Sequence, residues 1–173
     1  MPPQMVPVLT RAQIQEKVQT LANRISKDYH DKEILVVGIL KGAVIFLADL
    51  VRELVIPVQI DFVRLASYGD NTSSSGRIRI TKDVELAVHG RHVLVVEDIV
   101  DSGLTIAYLL GHLKQRRPES IKVCAFIDKR ERRKVQVQVD YAGHVVDQGF
   151  LVGYGLDFDE QYRNLPEIYH LKY

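Results

Sequence analysis

The chain has 173 residues, 46% hydrophobic and 26% charged, a balance that makes one compact domain the default and excludes a disordered chain. Folding at this length buries roughly 70% of the surface of the unfolded chain, so neither disulfides nor a structural metal are required. The single cysteine, Cys124, permits no intrachain disulfide and no CxxC or Cys/His zinc pattern. With 23 Lys plus Arg against 22 Asp plus Glu, bulk charge argues for neither nucleic acid nor a membrane surface.

Residues 1–9 are Pro-rich and lack the basic start and apolar core of a signal peptide, so a cytoplasmic protein is expected. The apolar stretch 34–48 is interrupted by Lys41 and Gly42 and falls short of the ~20 residues of a membrane span. Thr10 with Gln13 forms a capping box, and Ile14, Val18, Leu21 and Ile25 follow at helical spacing. The apolar run 34–39 predicts a strand covered on both faces, and Gly42 leads into a helix carrying Phe46, Leu47, Leu50, Val51 and Leu54, stopped by Pro57. Val58, Ile60 and Phe62 alternate with Gln59 and Asp61 as in a strand, and residues 66–76, ASYGDNTSSSG, predict a mobile loop. A short strand around Ile78 and Ile80, a strong one at 93–96, a helix marked by Ile106, Leu109, Leu110 and Leu113, and a strand at 121–127 complete the middle of the chain.

Strands alternating with helices predict an α/β fold, a doubly wound, mostly parallel sheet flanked by helices. The last 45 residues, with short strands and Gly turns, read as a cap, and the expectation is a single domain spanning 1–173 with a small hood formed by the terminal segments, mainly residues 145–173.

The informative segment is VLVVEDIVDSGLT, residues 93–105. Ligands of such sheets sit beyond the carboxyl ends of parallel strands, and here Glu97, Asp98 and Asp101 precede Ser102, Gly103 and Thr105 at such an end. A Gly-bearing turn running into a helix N-terminus exposes backbone N–H groups as a phosphate cradle. Carboxylates beside it would repel an anion unless they face sugar hydroxyls or act through Mg²⁺, so a ribose 5-phosphate fits the layout.

This segment closely resembles the phosphoribosyl-diphosphate (PRPP) signature of type I phosphoribosyltransferases: apolar strand, acid pair, two residues, Asp, Ser or Thr, Gly, any residue, Thr. Further motifs, from about Ile34 to Arg163, resemble the bacterial-type hypoxanthine (hypoxanthine-guanine) branch of that family. The resemblance implies the type I phosphoribosyltransferase fold, transfer of the 5-phosphoribosyl group to N9 of an oxopurine, PRPP and the base as partners, and a homodimer or homotetramer. Leu40, Lys41 and Gly42 match the pyrophosphate loop, in which the peptide before the glycine is a cis bond between non-proline residues. Ser67 and Tyr68 match the start of a lid over the site. Glu97 and Asp98 would meet the ribose hydroxyls, and Asp101, Ser102, Gly103, Leu104 and Thr105 would wrap the 5-phosphate. Asp101 would also handle the proton at N7 of the purine.

The same resemblance gives Lys129 to the 6-oxo group, Phe150 to stacking on the base, Ile99 to packing on it and Leu151 to reading its edge. Asp157 matches a magnesium ligand, with Glu97 and Asp98 as further metal candidates, and Arg163 a pyrophosphate contact. Leu104 stands where some members carry lysine, which leaves phosphate recognition to backbone and hydroxyls. Read without the resemblance, Asp98 and Asp101 are ordinary turn acids, Lys41 a solvated charge, Phe150 and Leu151 core, and the run KRERRK (129–134) a hairpin tip. The histidines have no metal-ligand spacing, and neither GxGxxG nor a P-loop occurs. A phospho-receiver domain, an RNA-binding pyrimidine-attenuation regulator on the same fold and a xanthine-preferring relative are the competing readings.

Overall fold

Thr10 accepts the backbone N–H of Gln13 on its hydroxyl (3.2 Å), and the Gln13 side chain accepts that of Thr10 (2.9 Å). This reciprocal pair satisfies donors that a helix start otherwise leaves free. It opens α1 (Arg11–Asp28), whose Ile14, Val18, Leu21 and Ile25 are buried at the expected spacing. The computed structural model describes residues 2–68 and 77–173. Around α1 it places β1 (Gln4–Leu9), β2 (Ile34–Leu40), α2 (Val44–Glu53), β3 (Val58–Tyr68) and β4 (Arg77–Lys82). There follow β5 (His92–Val100), α3 (Leu104–Lys114), β6 (Ser120–Lys129), β7 (Tyr141–Val146), β8 (Leu151–Val152) and β9 (Ile168–Lys172).

Six strands form one sheet in the order β4-β3-β2-β5-β6-β7, parallel throughout except for the β3–β4 pair. The central strand β2 is ILVVGIL, apolar at both face sets, because both faces are covered. On one face, α1 residues and Phe46, Leu47 and Leu50 of α2 pack on Val36, Leu94, Val96 and Phe126. On the other, Ile106, Leu109 and Leu113 of α3 pack on Leu35, Val37, Val93, Val95 and Val123. The chain leaves β2 through α2 toward β3 on one side, and leaves β5 through α3 toward β6 on the other. The carboxyl ends of β2 and β5 therefore flank the switch point where such sheets hold ligands.

Several elements differ from the sequence expectation. The N-terminal residues form β1, paired antiparallel with β9 from Gln4↔Lys172 to Leu9↔Ile168 in a three-stranded sheet β1-β9-β8. No local pattern announces a strand whose partner lies at the other end of the chain. β7 joins the large sheet beside β6, so the final stretch does not lie wholly outside it. Because β6 and β7 are parallel, residues 130–140 form a crossover and not a hairpin tip. Ala66, Ser67 and Tyr68, expected in a loop, are the end of β3 and pair with Arg79, Ile78 and Arg77; the rest of the expected lid, residues 69–76, lies outside the described residues.

The alternation in β3 reverses at one step: Val58 and Phe62 pack against the core as expected, but Asp61 is buried while Ile60 is 43% exposed. Burial would raise the Asp61 pKa, but backbone N–H groups of Leu86, Phe62 and Glu85, with Lys82 nearby, outweigh it and hold the carboxyl below its ordinary 3.8. A depressed pKa stabilises the fold above the unfolded value, and that stability is lost as pH falls through the folded one. Asp61→Asn should therefore cost about 1–3 kcal/mol at pH 7. Its stability should also fall less steeply than wild type on acidification, as read by urea unfolding from pH 7 down to pH 2.

Candidate active site

The turn after β5 is set by its own backbone. Strand pairing with β6 continues past the acid pair, from Glu97↔Ala125 to Val100↔Asp128, so Glu97 and Asp98 sit within the strand's last half and not beyond its end. Gly103 then takes φ +83° and starts α3 with no side-chain cap. A Cβ there would lie 2.6 Å from the Val135 carbonyl oxygen, so only glycine fits both the left-handed turn and the close backbone. The Ser102 hydroxyl accepts the N–H of Leu104 at 3.3 Å.

This turn lines a cavity of about 110 Å³ with Glu97, Ile99, Val100, Asp101, Ser102, Gly103, Thr105 and Ile106. An adjoining cavity of about 160 Å³ is lined by Asp98, Ile99, Asp101, Lys129, Arg132, Phe150, Leu151, Leu156 and Asp157. Ile99 and Asp101 are the shared wall. Lys129 is buried at the end of β6, its ammonium 3.6 Å from Asp101 Oδ2 and 3.5 Å from Glu131 Oε2, the counter-charge that a buried cation needs. The other carboxylate oxygen, Asp101 Oδ1, is buried without a hydrogen-bond partner among the described residues. Phe150 presents a ring that is 42% exposed, propped edge-on by Phe158 at 5.6 Å, whereas Leu151 is buried.

Burial, with the negative Asp98 beside it, pushes the Glu97 carboxyl well above its usual range. Burial also raises Asp98, against hydrogen bonds from Glu97 and the Ile99 backbone N–H and the pull of Arg163. The pair therefore holds a proton more readily than free carboxylates would.

The loop after β2 closes on this pair. Its cis peptide joins Leu40 and Lys41, one bond earlier than the peptide immediately before Gly42. A Cβ on Gly42 would stand 2.0 Å from Asp98 Oδ2, and one on Gly155 would stand 2.2 Å from the Gly42 carbonyl oxygen. Two glycines thus let the β2 loop, the β5 acids and the turns before β9 touch through backbone. Tyr154 ties those turns to α2 through a 2.6 Å hydrogen bond to Asp49.

Beyond Gly42, Lys41 pairs with Glu160 at 2.7 Å, and Arg163 binds Asp157 at 3.2 Å and Glu160 at 3.1 Å. Glu160, absent from the sequence expectation, joins both cations. Its only sequence signal is its three-residue spacing from Asp157 and Arg163. The structure gathers most of the expected residues around the two cavities, with Leu40, Lys41, Gly42 and Arg163 in the adjoining loops. Leu104 opens α3, while Ser67 and Tyr68, at the β3 end, line neither cavity.

A small cavity at a helix start and a ring-flanked pocket share a wall at the switch point of a doubly wound sheet, where α/β enzymes bind their ligands. A sequence model of the phosphoribosyl transferase domain matches residues 9–159. The chain is 42% identical over 165 residues to the hypoxanthine-guanine phosphoribosyltransferase of Bacillus subtilis, covering 95% of this chain and 92% of that one. It is 44% identical over 167 residues to the protein of the same name from Mycobacterium avium, covering 93% and 82%. The solved structure of a Bacillus anthracis hypoxanthine-guanine phosphoribosyltransferase superposes with a TM-score of 0.90 at 41% identity, covering 96% of each chain. The chain belongs to the phosphoribosyltransferase family and is a transferase of the type I fold. The similarity begins at residue 9, ahead of the opening helix and earlier than the motifs alone indicate.

Proposed function

We propose that the chain transfers the 5-phosphoribosyl group of PRPP to N9 of hypoxanthine or guanine, releasing pyrophosphate and giving IMP or GMP. The observation that carries this reading is Asp101, wall of both cavities, with one buried oxygen lacking a donor and the other beside a buried lysine. A buried acceptor without a donor is costly, and a ligand N–H relieves it. An oxopurine supplies one at N7, with a 6-oxo group that Lys129 can bind, whereas the amino group of adenine would meet that ammonium donor to donor.

Each residue then has a task. Ser102, Gly103, Leu104 and Thr105 hold the 5-phosphate on the N–H groups and hydroxyls where α3 begins. Glu97 and Asp98 receive the ribose hydroxyls, and their negative charge suits a sugar that turns cationic as the bond from C1 to pyrophosphate breaks. Lys41 and Arg163, with the backbone from Leu40 to Gly42, take the pyrophosphate. Phe150 stacks on the base, Ile99 packs against it and the Leu151 backbone reads its edge. We assign Ser67 and Tyr68, at the end of β3, to the start of a lid on the resemblance alone, and the β1-β9-β8 sheet with its turns to the hood.

The carboxylates fit Mg²⁺, a hard cation held by one or two acids together with substrate phosphates. Asp157 would hold it on the pyrophosphate side, with Glu97 and Asp98 on the ribose side, and the ion would neutralise charge on the leaving group. No helix among the described residues is long and apolar enough to cross a membrane, and Cys124 is free. We place the enzyme in the cytoplasm as a homodimer or homotetramer, with sedimentation as the measurement of assembly.

Mixing the protein with PRPP, Mg²⁺ and each of hypoxanthine, guanine, xanthine, adenine and uracil tests the reading. Release of pyrophosphate with formation of IMP or GMP is expected. A preference for xanthine, adenine or uracil would overturn the substrate assignment.

A further inference from the structure

The basic run after β6 contains one arginine that is not a solvated charge. Arg133 is 20% exposed and lines neither cavity, whereas Asp101, Ser102, Gly103 and Thr105 all line the smaller one. Its Nε donates to the carbonyl oxygen of Asp101 at 2.9 Å. Its Nη2 is shared among the carbonyls of Val100 (3.3 Å) and Lys129 (3.0 Å) and the carboxylate of Asp128 (2.5 Å). Asp128 is itself buried, so the pair compensates charge inside the fold. The next two residues continue the pattern, Lys134 and Val135 donating their N–H groups to the Ser102 carbonyl at 2.9 and 3.2 Å.

Residues 133–135 thus grip three consecutive carbonyls, of Val100, Asp101 and Ser102. In a trans peptide, C=O and N–H point in opposite directions. Holding these carbonyls turns the N–H groups of Asp101, Ser102 and Gly103 away from residues 133–135, and it is these three residues, not 133–135, that line the cavity. The same guanidinium holds the Lys129 carbonyl, so a single side chain fixes the phosphate turn relative to the lysine of the base pocket.

We infer that Arg133, anchored by Asp128, is the positioning residue that aims the backbone of the 101–105 turn at the 5-phosphate of the substrate. The inference rests on the proposed assignment of that turn to the phosphate. It touches no substrate and acts through the peptide groups it orients.

The test compares Arg133→Lys, Arg133→Ala and Thr105→Val in the full-length enzyme with PRPP, Mg²⁺ and hypoxanthine. Lysine keeps a cation for Asp128 but has no planar fork for several carbonyls. Arg133→Lys should keep the melting temperature near wild type and the KM for hypoxanthine within about twofold, while the KM for PRPP rises about 10- to 100-fold, the scale of a small misplacement of binding groups. Arg133→Ala should show the same selective loss, and millimolar guanidinium should restore part of it. If the Arg133 variants lower stability and all kinetic constants together, with no response to guanidinium, the role is structural and the inference is overturned. If Thr105→Val raises the KM for PRPP and Arg133→Lys does not, the inference fails while the phosphate assignment stands. If neither variant moves it, the phosphate assignment fails and takes the inference with it.

Discussion

Asp101→Asn should reduce turnover by about 10²- to 10⁴-fold, the usual contribution of a general acid or base. Asparagine has the same shape, so the cradle survives, the main-chain carbonyl of residue 101 still accepts from Arg133, and the KM for PRPP should change little. The variant loses the ability to take a proton at the oxygen that stands buried without a donor. It also removes the negative partner 3.6 Å from Lys129, so base binding should weaken as well. Rates of nucleotide formation at saturating substrate measure the effect, and a fall smaller than tenfold would remove Asp101 from the path of the proton.

The second large effect is expected at a residue with no side chain. Gly42→Ala would place a methyl carbon 2.0 Å from Asp98 Oδ2, and Asp98 cannot simply swing away because Oδ1 holds the Ile99 N–H at 2.8 Å. Nor can the loop retreat freely, since its carbonyl abuts Gly155. Either the acids or the proposed pyrophosphate loop must shift, and misplacement on the scale of 1 Å costs about 10² in rate. We expect a loss of that order in kcat/KM for PRPP. Gly111→Ala is the control: apart from its chain neighbours and the backbone of α3 itself, nothing among the described residues lies within 4 Å of the added methyl, and the change should be neutral or stabilising by up to about 1 kcal/mol. Steady-state kinetics of both variants beside thermal melts separate the site effect from a general loss of fold.

What could be read from the sequence follows the range of the interactions involved. Segments such as Ile34–Leu40 and Arg11–Asp28 declare themselves because burial on two faces or one stripe writes a local period. The candidate site was legible for a similar reason: one short run after β5 carries acids, turn and helix start together. β1 was not legible, because its partner β9 lies at the opposite end of the chain. Asp61 broke the apparent alternation of β3 at one step because backbone N–H groups from 85–86 reward a buried carboxylate there. Arg133 was hidden among neighbouring charges, although the acid ending the apolar strand FID, Asp128, was a sign that some cation must come to meet it.

Glu160 gives the proposed pyrophosphate pocket an unusual relation to salt. Its carboxylate already bridges Lys41 and Arg163, so an arriving pyrophosphate or PRPP displaces a tethered anion instead of a cloud of mobile ones. Ordinary cationic pockets release counter-ions when they bind, and their affinity falls steeply as ionic strength rises. Here the counter-ion is part of the chain and is neither diluted nor concentrated by the medium. If Lys41 and Arg163 take pyrophosphate as proposed, the affinity for PRPP is expected to depend less on ionic strength than that of a pocket whose cations stand apart.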